Sequence, residues 1–196
     1  MERSILFSTP MVQAIYAGHK TMTRRIIKDK TALSWLDPDC GFDPAFVALR
    51  ENHLCKFGFI GDRLWVRETF AFHGRPDISG VKYIYKADKS TSISTIIPWK
   101  PSIHMPREAS RITLEIINIR VERLHDISEE DAKAEGVEKT EFGYKNYDNS
   151  YPVSDFIGGE TDALRSFQSL WRTIYGKESW ENNPWVWVIE FKQINN

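Results

Sequence analysis

The sequence predicts a single α+β domain in which a mixed β-sheet, curved towards a small barrel, is flanked by helices. Segments with the period of two that is typical of strands are interspersed with segments of helical period, but without the regular strand-helix-strand alternation of a parallel sheet. The length of 196 residues fits one domain with its own core. A hydrophobic fraction of 41% argues against extensive disorder.

The chain begins with a predicted strand, helix and strand. Residues 5–7 form a short apolar run, and residues 10–17 then carry apolar side chains at helical spacing. Proline favours the first turn of such a helix, and Gly18 ends it. Beyond a turn, residues 21–26 alternate as the residues of a strand do.

The middle of the chain has weaker patterns. Residues 31–56 contain several turn formers and resemble an insertion of unpredicted structure. A tight turn at residues 61–62 leads into a predicted strand over 63–70, and residues 81–87 are a further strand candidate. Three prolines in and beside residues 99–107 predict an extended loop, because proline fixes φ and removes a donor.

The C-terminal half has the clearest signals. Residues 111–124 are rich in β-branched side chains, which predicts one long strand or a bent pair. Helices are predicted over 126–136 and 163–174, each with a glycine as its stop signal. A polar loop is expected over 143–159, and a last strand over 185–194.

Composition limits the class of protein. Cys40 and Cys55 are too few for a disulfide framework and are predicted to be free thiols. Neither a signal peptide nor an apolar run of transmembrane length is present, so we expect a soluble, cytoplasmic protein that does not bind membranes. The net charge of −1 gives no general support for a broad grip on nucleic acid, although residues 3–30 are locally basic. The five histidines are scattered, and we predict neither a metal site nor a cofactor.

The segment 18–25, Gly-His-Lys-Thr-Met-Thr-Arg-Arg, matches the pattern G-x-K-x-x-T-x-R, which is the signature of the ASCH domain. The chain resembles this family over most of its length, in blocks at residues 61–68, 99–107, 134–136 and 187–191. The resemblance implies a PUA-like fold, with a mixed sheet curved into a small pseudo-barrel. It is greatest to the larger phage- and prophage-associated members. Residues 1–196 would then form one ASCH domain with insertions near 28–59, 88–107 and 137–160.

The resemblance also implies a chemistry. Small members of the family hydrolyse the acetyl amide of N4-acetylcytidine, and the matching positions here are Lys20 as base, Thr23 as nucleophile and Glu135 as proton donor. A threonine hydroxyl needs an adjacent base, and a lysine can be that base only when neutral. Burial, or the neighbouring cations Arg24 and Arg25, would have to lower the lysine pKa. Backbone N–H groups of the motif turn, or Arg25, are candidates for stabilising the oxyanion.

Further residues are candidates for contacts with a base or a nucleic acid, because aromatic rings stack on bases while cations and carboxylates bind phosphates and base edges. They are Thr21, Arg25, Trp65, Arg67, Glu68, Lys100 and Arg107. Other interpretations are open: Trp65 is at least as well explained by core packing, and residues 99–107 by a loop strapped across the sheet.

The leading hypothesis is therefore an enzyme that removes an N4-acyl group from a modified cytidine. Two alternatives stay open, a non-catalytic module that binds RNA or a modified base, and a ribonuclease that uses the same lysine and glutamate. The expected partner in each case is a modified nucleoside or RNA. The sequence does not indicate an oligomeric state.

Overall fold

A computed structural model of the chain describes residues 1–72, 83–88, 98–141, 143–148 and 162–194. Its strands are β1 (Glu2–Leu6), β2 (Met22–Ile26), β3 (Arg63–Arg67), β4 (Phe70–Phe72), β5 (Tyr83–Tyr85), β6 (Thr113–Arg123), β7 (Lys139–Thr140), β8 (Gly143–Tyr144) and β9 (Trp185–Ile194). Its α-helices are α1 (Thr9–Tyr16), α2 (Lys30–Trp35), α3 (Pro44–Val47), α4 (Glu129–Ala134), α5 (Ala163–Tyr175) and α6 (Lys177–Glu181). Short 3₁₀ turns cover Arg50–Asn52, Ser102–His104, Arg107–Ala109 and Leu124–Asp126.

Five strands form the main sheet in the order β1-β3-β6-β9-β2. β1 pairs with β3 in parallel, and the other three pairings are antiparallel. The mixed α+β class is therefore confirmed. Within the described ranges no hydrogen-bonded pairing joins the edge strands β1 and β2, so a closed barrel is not found.

β6 is one long strand with an irregularity, and not a pair of strands. Its register against β9 shifts between Ile116 and Asn118, which leaves Ile117 as an extra residue. A bulge of this kind bends a strand and increases its local twist. Of the two forms that the sequence allowed, one long strand is therefore the one found.

The sheet is covered on both faces. Along β9, Val186 and Val188 pack into one cluster with residues of α4 and α5, such as Phe167. The alternate residues Trp187 and Ile189 pack into a second cluster, which includes the buried residues of α1, α2 and α3. β9 is thus buried on both faces, and the sheet lies between two helical layers.

The segment 31–56 contains two helices where the sequence predicted no structure. The Asp29 carboxylate caps α2 by accepting from Ala32 N at 2.9 Å, and the Asp43 carboxylate caps α3 by accepting from Ala45 N at 2.6 Å. Pro44 occupies the first turn of α3. These capping signals favour short helices even where apolar periodicity is weak.

Other boundaries differ from the predicted ones. The predicted strand 63–70 is divided between β3 and β4, because Phe70 leaves the main sheet to pair with Tyr85 of β5. The loop 99–107 contains 3₁₀ turns, and α4 is shorter than the predicted helix at both ends. Residues 81–82 of the predicted strand and 149–159 of the predicted loop lie outside the described residues. Among the helices described, none combines the length and apolar character that crossing a membrane requires.

Candidate active site

Lys20 is completely buried, and its side chain is 0% exposed. Its Nζ donates to the carbonyl oxygens of Met22 and Glu135, each at 2.7 Å, and to Glu135 Oε2 at 2.9 Å. Since an ammonium has three N–H groups, every donor of Lys20 has an acceptor. Lys20 and Glu135, which the resemblance paired as base and acid, are therefore in direct contact.

Backbone contacts hold the motif turn against the end of α4. Lys20 and Glu135 form an isolated antiparallel bridge. Thr21 N donates to Ala134 O at 2.9 Å, and Thr21 O accepts from Phe191 N at 2.8 Å. The motif thus joins α4 to β9 before β2 begins, and Lys20 lies outside the regular strand that contains Thr23.

Gly136 makes the close approach of these segments possible. It follows Glu135 with φ of +83°, and a Cβ at this position would lie 2.7 Å from Lys20 Cβ and 3.1 Å from Ala14 Cβ. A side chain could fit only if Lys20 moved. The predicted helix-ending glycine therefore also sets the distance between α4 and the lysine.

The environment of Lys20 lowers its pKa from the usual 10.5. Burial is the largest cause, since it disfavours the charged form. Glu135 opposes this shift by its charge and hydrogen bond, while Arg25 and Arg24 add to it. The direction is the one that a lysine base requires, and its causes are burial and the two cations.

Arg24 lies beside this pair and is also 0% exposed. Its guanidinium contacts three carboxylates: Glu122 at 2.5 Å, Asp131 at 2.5 Å and, more distantly, Glu135 at 3.4 Å. Burial alone would lower the pKa of Arg24, but Glu135 and Glu122 raise it. Arg24 therefore holds a positive charge close to Glu135, and its ion pairs join β2 to β6 and α4.

Thr23 is 2% exposed and borders a cavity of about 20 Å³ together with Glu135. Residues of α1, α5 and β2 complete its lining: Met11, Arg24, Arg25, Phe167, Leu170, Trp171, Ile174 and Tyr175. A volume of roughly 10–15 Å³ holds one water molecule. In this conformation the cavity therefore accommodates water and is too small for a nucleobase.

A larger hollow of about 740 Å³ lies on another side of the same bridge. It is bordered by α1, the end of α4 and the β7-β8 hairpin, and its lining includes His19, Ala134 and Gly136. The side chains of Lys20, Thr23 and Glu135 are not part of that lining. Of the two spaces, the small one is where the proposed nucleophile and acid meet.

Arg25 connects the Thr23 cavity to the two edges of the sheet. Its Nη2 donates to Leu6 O of β1 at 2.7 Å, so a β2 side chain bridges the edge strands that no backbone pairing joins. Its guanidinium lies 5.2 Å from the ring of Phe7. Its Nε is buried and has no hydrogen-bond partner among the described residues, so its donor is unused.

The other predicted binding residues lie in several places. Trp65 is half-buried, and the guanidinium groups of Arg67 and Arg107 lie 5.5 Å and 5.7 Å from its ring. Arg107 also pairs with Glu2 at 2.8 Å. Of these three residues, only Arg67 borders a groove that Arg25 also borders, which lies next to the Thr23 cavity; Trp65 and Arg107 are not in the lining of this groove.

Glu68, Lys100 and Thr21 are not brought to the Thr23 cavity. Glu68 is 1% exposed, and its carboxylate accepts two hydrogen bonds from Arg111, at 2.9 and 3.0 Å. Lys100 is exposed, with its ammonium 4.3 Å from the ring of Phe72. In this geometry Glu68 is a partner of Arg111, and Thr21 acts through its backbone.

Sequence reasoning missed the structural importance of Arg24 and the positions of Lys28, Lys56 and Tyr175 near the site. Arg24 lies inside the motif, so the sequence did draw attention to it. The alternation of residues along the strand did not show which carboxylates it would contact. Among the described residues, no three His, Cys, Asp or Glu side chains are grouped so that they could hold a metal ion.

Comparisons with known proteins leave the family open. No family model and no curated protein matches the chain. A solved structure, that of hypothetical protein PH0355, aligns over 99% of this chain and 100% of its own length, with 12% identity and a TM-score of 0.36. Similarity at that level carries no argument about fold or function. Membership of the ASCH family thus stays a prediction based on the motif.

Proposed function

We propose that the chain is a hydrolase that removes the N4-acyl group of a modified cytidine, with Thr23 as nucleophile, Lys20 as base and Glu135 as proton donor. The observation that carries this proposal is the buried contact between Lys20 Nζ and Glu135 Oε2 at 2.9 Å, beside a cavity that Thr23 and Glu135 share. Acyl transfer needs a base, a proton donor and a hydroxyl nucleophile; here the base and the donor are in contact, and the donor borders the same cavity as the threonine.

The roles fit if the ion pair can become a neutral pair. Moving one proton from Lys20 Nζ to Glu135 Oε2 gives an amine and a carboxylic acid. Burial favours that exchange because two buried charges disappear, and the charge of Arg24, 3.4 Å from Glu135, opposes it. The same proton movement therefore prepares both the base and the proton donor.

The reaction then has two balanced halves. Thr23 Oγ1 attacks the acyl carbon, its proton passes to the Lys20–Glu135 pair, and the pair protonates the departing N4 amine of cytosine. This leaves an acyl ester on Thr23. Water attacks the ester, and acetate leaves as Thr23 recovers its proton. We assign Arg25, which borders the cavity and has an Nε without a partner among the described residues, as the donor to the oxyanion in each half.

A base can enter only if the cavity opens. Its outer wall includes Ile174 of α5, which is 44% exposed, and the half-buried Leu170 and Met11. Rotation of these side chains would widen the space without disturbing the Lys20–Glu135 pair. We place the entrance between α1 and α5 for this reason.

We also propose the finer fold that the resemblance implies, a PUA-like sheet curved until its edges approach. The hydrogen bond from Arg25 to Leu6 O supports this arrangement, because β1 and β2 are at opposite ends of the strand order. A second candidate function, binding without catalysis, is favoured by the three acceptors that hold Lys20 as an ammonium.

The test is incubation of the purified protein with N4-acetylcytidine, followed by chromatography for cytidine. Thr23→Val keeps the shape of the side chain and removes the hydroxyl, so turnover is expected to fall at least 100-fold. Thr23→Ser retains a hydroxyl and serves as the matched control, with partial activity expected. Both variants should unfold at similar urea concentrations.

Three results would count against the hydrolase. Equal turnover by wild type and Thr23→Val would remove the nucleophile from the mechanism. An absence of turnover together with retention of N4-acetylcytidine on the protein would favour a binding module. Shortening of RNA that Glu135→Gln abolishes would favour the ribonuclease.

A further inference from the structure

A groove of about 370 Å³ adjoins the Thr23 cavity and shares Arg25 and Tyr175 with it. Residues of β1, β2 and the end of β3 form its walls together with residues 56 and 57. Its volume is within the range of about 300–1,000 Å³ that small-molecule sites occupy. The groove is therefore large enough for the part of a ligand that the cavity cannot hold.

Four cations border this groove, Arg25, Lys28, Lys56 and Arg67, and its lining contains no aspartate or glutamate. In the part of the chain that the structure describes, none of the four forms an ion pair with a carboxylate. The net charge of the chain is only −1, so four unneutralised cations in one groove are not a consequence of a generally basic surface. Such a concentration of one charge favours an anionic ligand.

Three arginines outside the groove are neutralised. Arg24, Arg107 and Arg111 each contact at least one carboxylate at 3.0 Å or less. Within the groove, by contrast, Arg67 donates to the carbonyl oxygens of Ser102 and Ile103, which fix its position and leave its charge uncompensated. A cation held by backbone carbonyls is positioned to meet an anion from outside.

Two rings accompany the cations. Phe57 and Tyr175 are half-buried in the lining, and the Lys56 ammonium lies 5.0 Å from the Phe57 ring. Aromatic rings alternating with Lys and Arg are the features with which proteins bind nucleotides, since bases stack and phosphates pair with cations. Arg25, which borders both the groove and the cavity, has a buried Nε without a partner among the described residues.

We propose that this groove is a phosphate-binding subsite that holds a phosphate attached to the nucleoside, so that the preferred ligand is a nucleotide and not a free nucleoside. The placement of the base in the Thr23 cavity rests on the proposed function; the phosphate site rests on the groove itself. The phosphate belongs either to a mononucleotide or to a single-stranded oligonucleotide, and both present the same chemistry to the four cations.

The experiment compares binding of cytidine, cytidine 5′-monophosphate and a single-stranded cytidine hexanucleotide by calorimetry at two salt concentrations. The test variant, Lys28→Gln combined with Lys56→Gln, changes two exposed side chains and should fold normally. Lys192→Gln, together with wild type, is the control, because Lys192 is exposed, pairs with Glu115 and lies outside the groove. Urea unfolding verifies that all variants are equally stable.

Wild type and the control are expected to bind the monophosphate at least tenfold more tightly than cytidine, and the double variant should lose most of that preference. For the hexanucleotide, the slope of log K against log salt should become less negative by about 1.4 in the double variant, because each lost contact with a single strand contributes about 0.7. Tighter binding of the hexanucleotide than of the monophosphate identifies a strand as the source, and equal binding identifies a mononucleotide.

Equal affinity for cytidine and its monophosphate in wild type would overturn the proposal, as would a double variant that behaves like Lys192→Gln. These outcomes are independent of hydrolysis. If N4-acetylcytidine is deacetylated while phosphate gives no advantage, the subsite is wrong and the hydrolase stands. If phosphate-dependent binding occurs without deacetylation, the subsite stands and the hydrolase is wrong.

Discussion

At the scale of single residues, Lys20 combines two requirements that normally conflict. As an ammonium it satisfies two carbonyl oxygens and a carboxylate, which suits a structural role. As a base it must be neutral, and burial together with Arg25 and Arg24 lowers its pKa in that direction. The pairing with Glu135 lets one proton serve both states, since the proton need only move along an existing hydrogen bond.

This shift predicts a pH dependence. The active Lys20–Glu135 pair holds one shared proton, so deacetylation should decrease with pH along a limb whose midpoint lies below the ordinary lysine value of 10.5. Arg25→Met removes a cation that lowers the Lys20 pKa, so the limb should move to higher pH. The measurement is kcat/KM across the pH range for both proteins, and a limb that stays in place in Arg25→Met would contradict the assignment of the base.

The free energy of unfolding should also depend on pH. The folded pKa of Lys20 is lower than the unfolded one, so between the two values the unfolded chain binds more protons. The contribution of Lys20 to the free energy of unfolding therefore increases as pH rises through that window, and it is smallest below the folded pKa.

At the scale of elements, the end of α4 and the motif turn are matched through Gly136. Two separate constraints require glycine at this position. Its φ is positive, and an added Cβ would lie only 2.7 Å from Lys20 Cβ. A chain that lacked either would hold Glu135 in a different position. The geometry of the ion pair is therefore determined partly by a residue with no side chain.

Gly136→Ala tests this dependence. Gly61→Ala is the matched control, because Gly61 has φ of +84° and nothing within 4 Å of its Cβ position. The control should cost about 1–2 kcal/mol for the left-handed backbone. Gly136→Ala should cost about 1–3 kcal/mol more, the usual range for overpacking. Urea unfolding measures both, and equal losses would show that contact with Lys20 is not limiting.

The elements differ in how well the sequence predicted them. α5 was predicted from apolar residues at helical spacing, and its buried Phe167 and Trp171 and its end at Gly176 follow that pattern. The division between β3 and β4 was not predicted, since it depends on the pairing of Phe70 with Tyr85. Local period is visible in a sequence, whereas a strand partner fifteen residues away is not.

The candidate site shows the same limit on what the sequence can predict. The family resemblance supplied Lys20, Thr23 and Glu135, and the contact between the first and the last is present. Nothing in local spacing could reveal that Arg24 finds its carboxylates near residues 122 and 131, or that α5 leaves only about 20 Å³ beside Thr23. Those features depend on packing between distant segments.

At the scale of the whole molecule, a network of charges joins the sheet to its helical layer. Arg24 of β2 contacts Glu122 of β6 and Asp131 of α4, and Arg120 contacts the same two carboxylates and Glu190 of β9. Arg24 is the buried member of this network. Loss of its charge would leave carboxylates in a partly desolvated place with fewer partners.

Arg24→Met should therefore reduce the free energy of unfolding by about 3–5 kcal/mol, the range for removing one partner of a buried ion pair. Arg107→Met is the control. Arg107 pairs with Glu2 where both side chains are about 40% exposed, and such pairs contribute roughly 0–1 kcal/mol. Similar losses in the two variants, measured by urea unfolding, would mean that the network around Arg24 adds little to stability.

Two of the three acceptors around Lys20 belong to Glu135, which lies 115 positions further along the chain. If the amine gives up a hydrogen during a reaction, one of those acceptors is left without its donor until the cycle closes. Turnover would then weaken and restore the contact between the motif turn and the end of α4. A tightly bound ligand that stops the reaction midway should therefore speed amide hydrogen exchange at Thr21 and Gly136, which are distant in sequence but lie on the two sides of this contact.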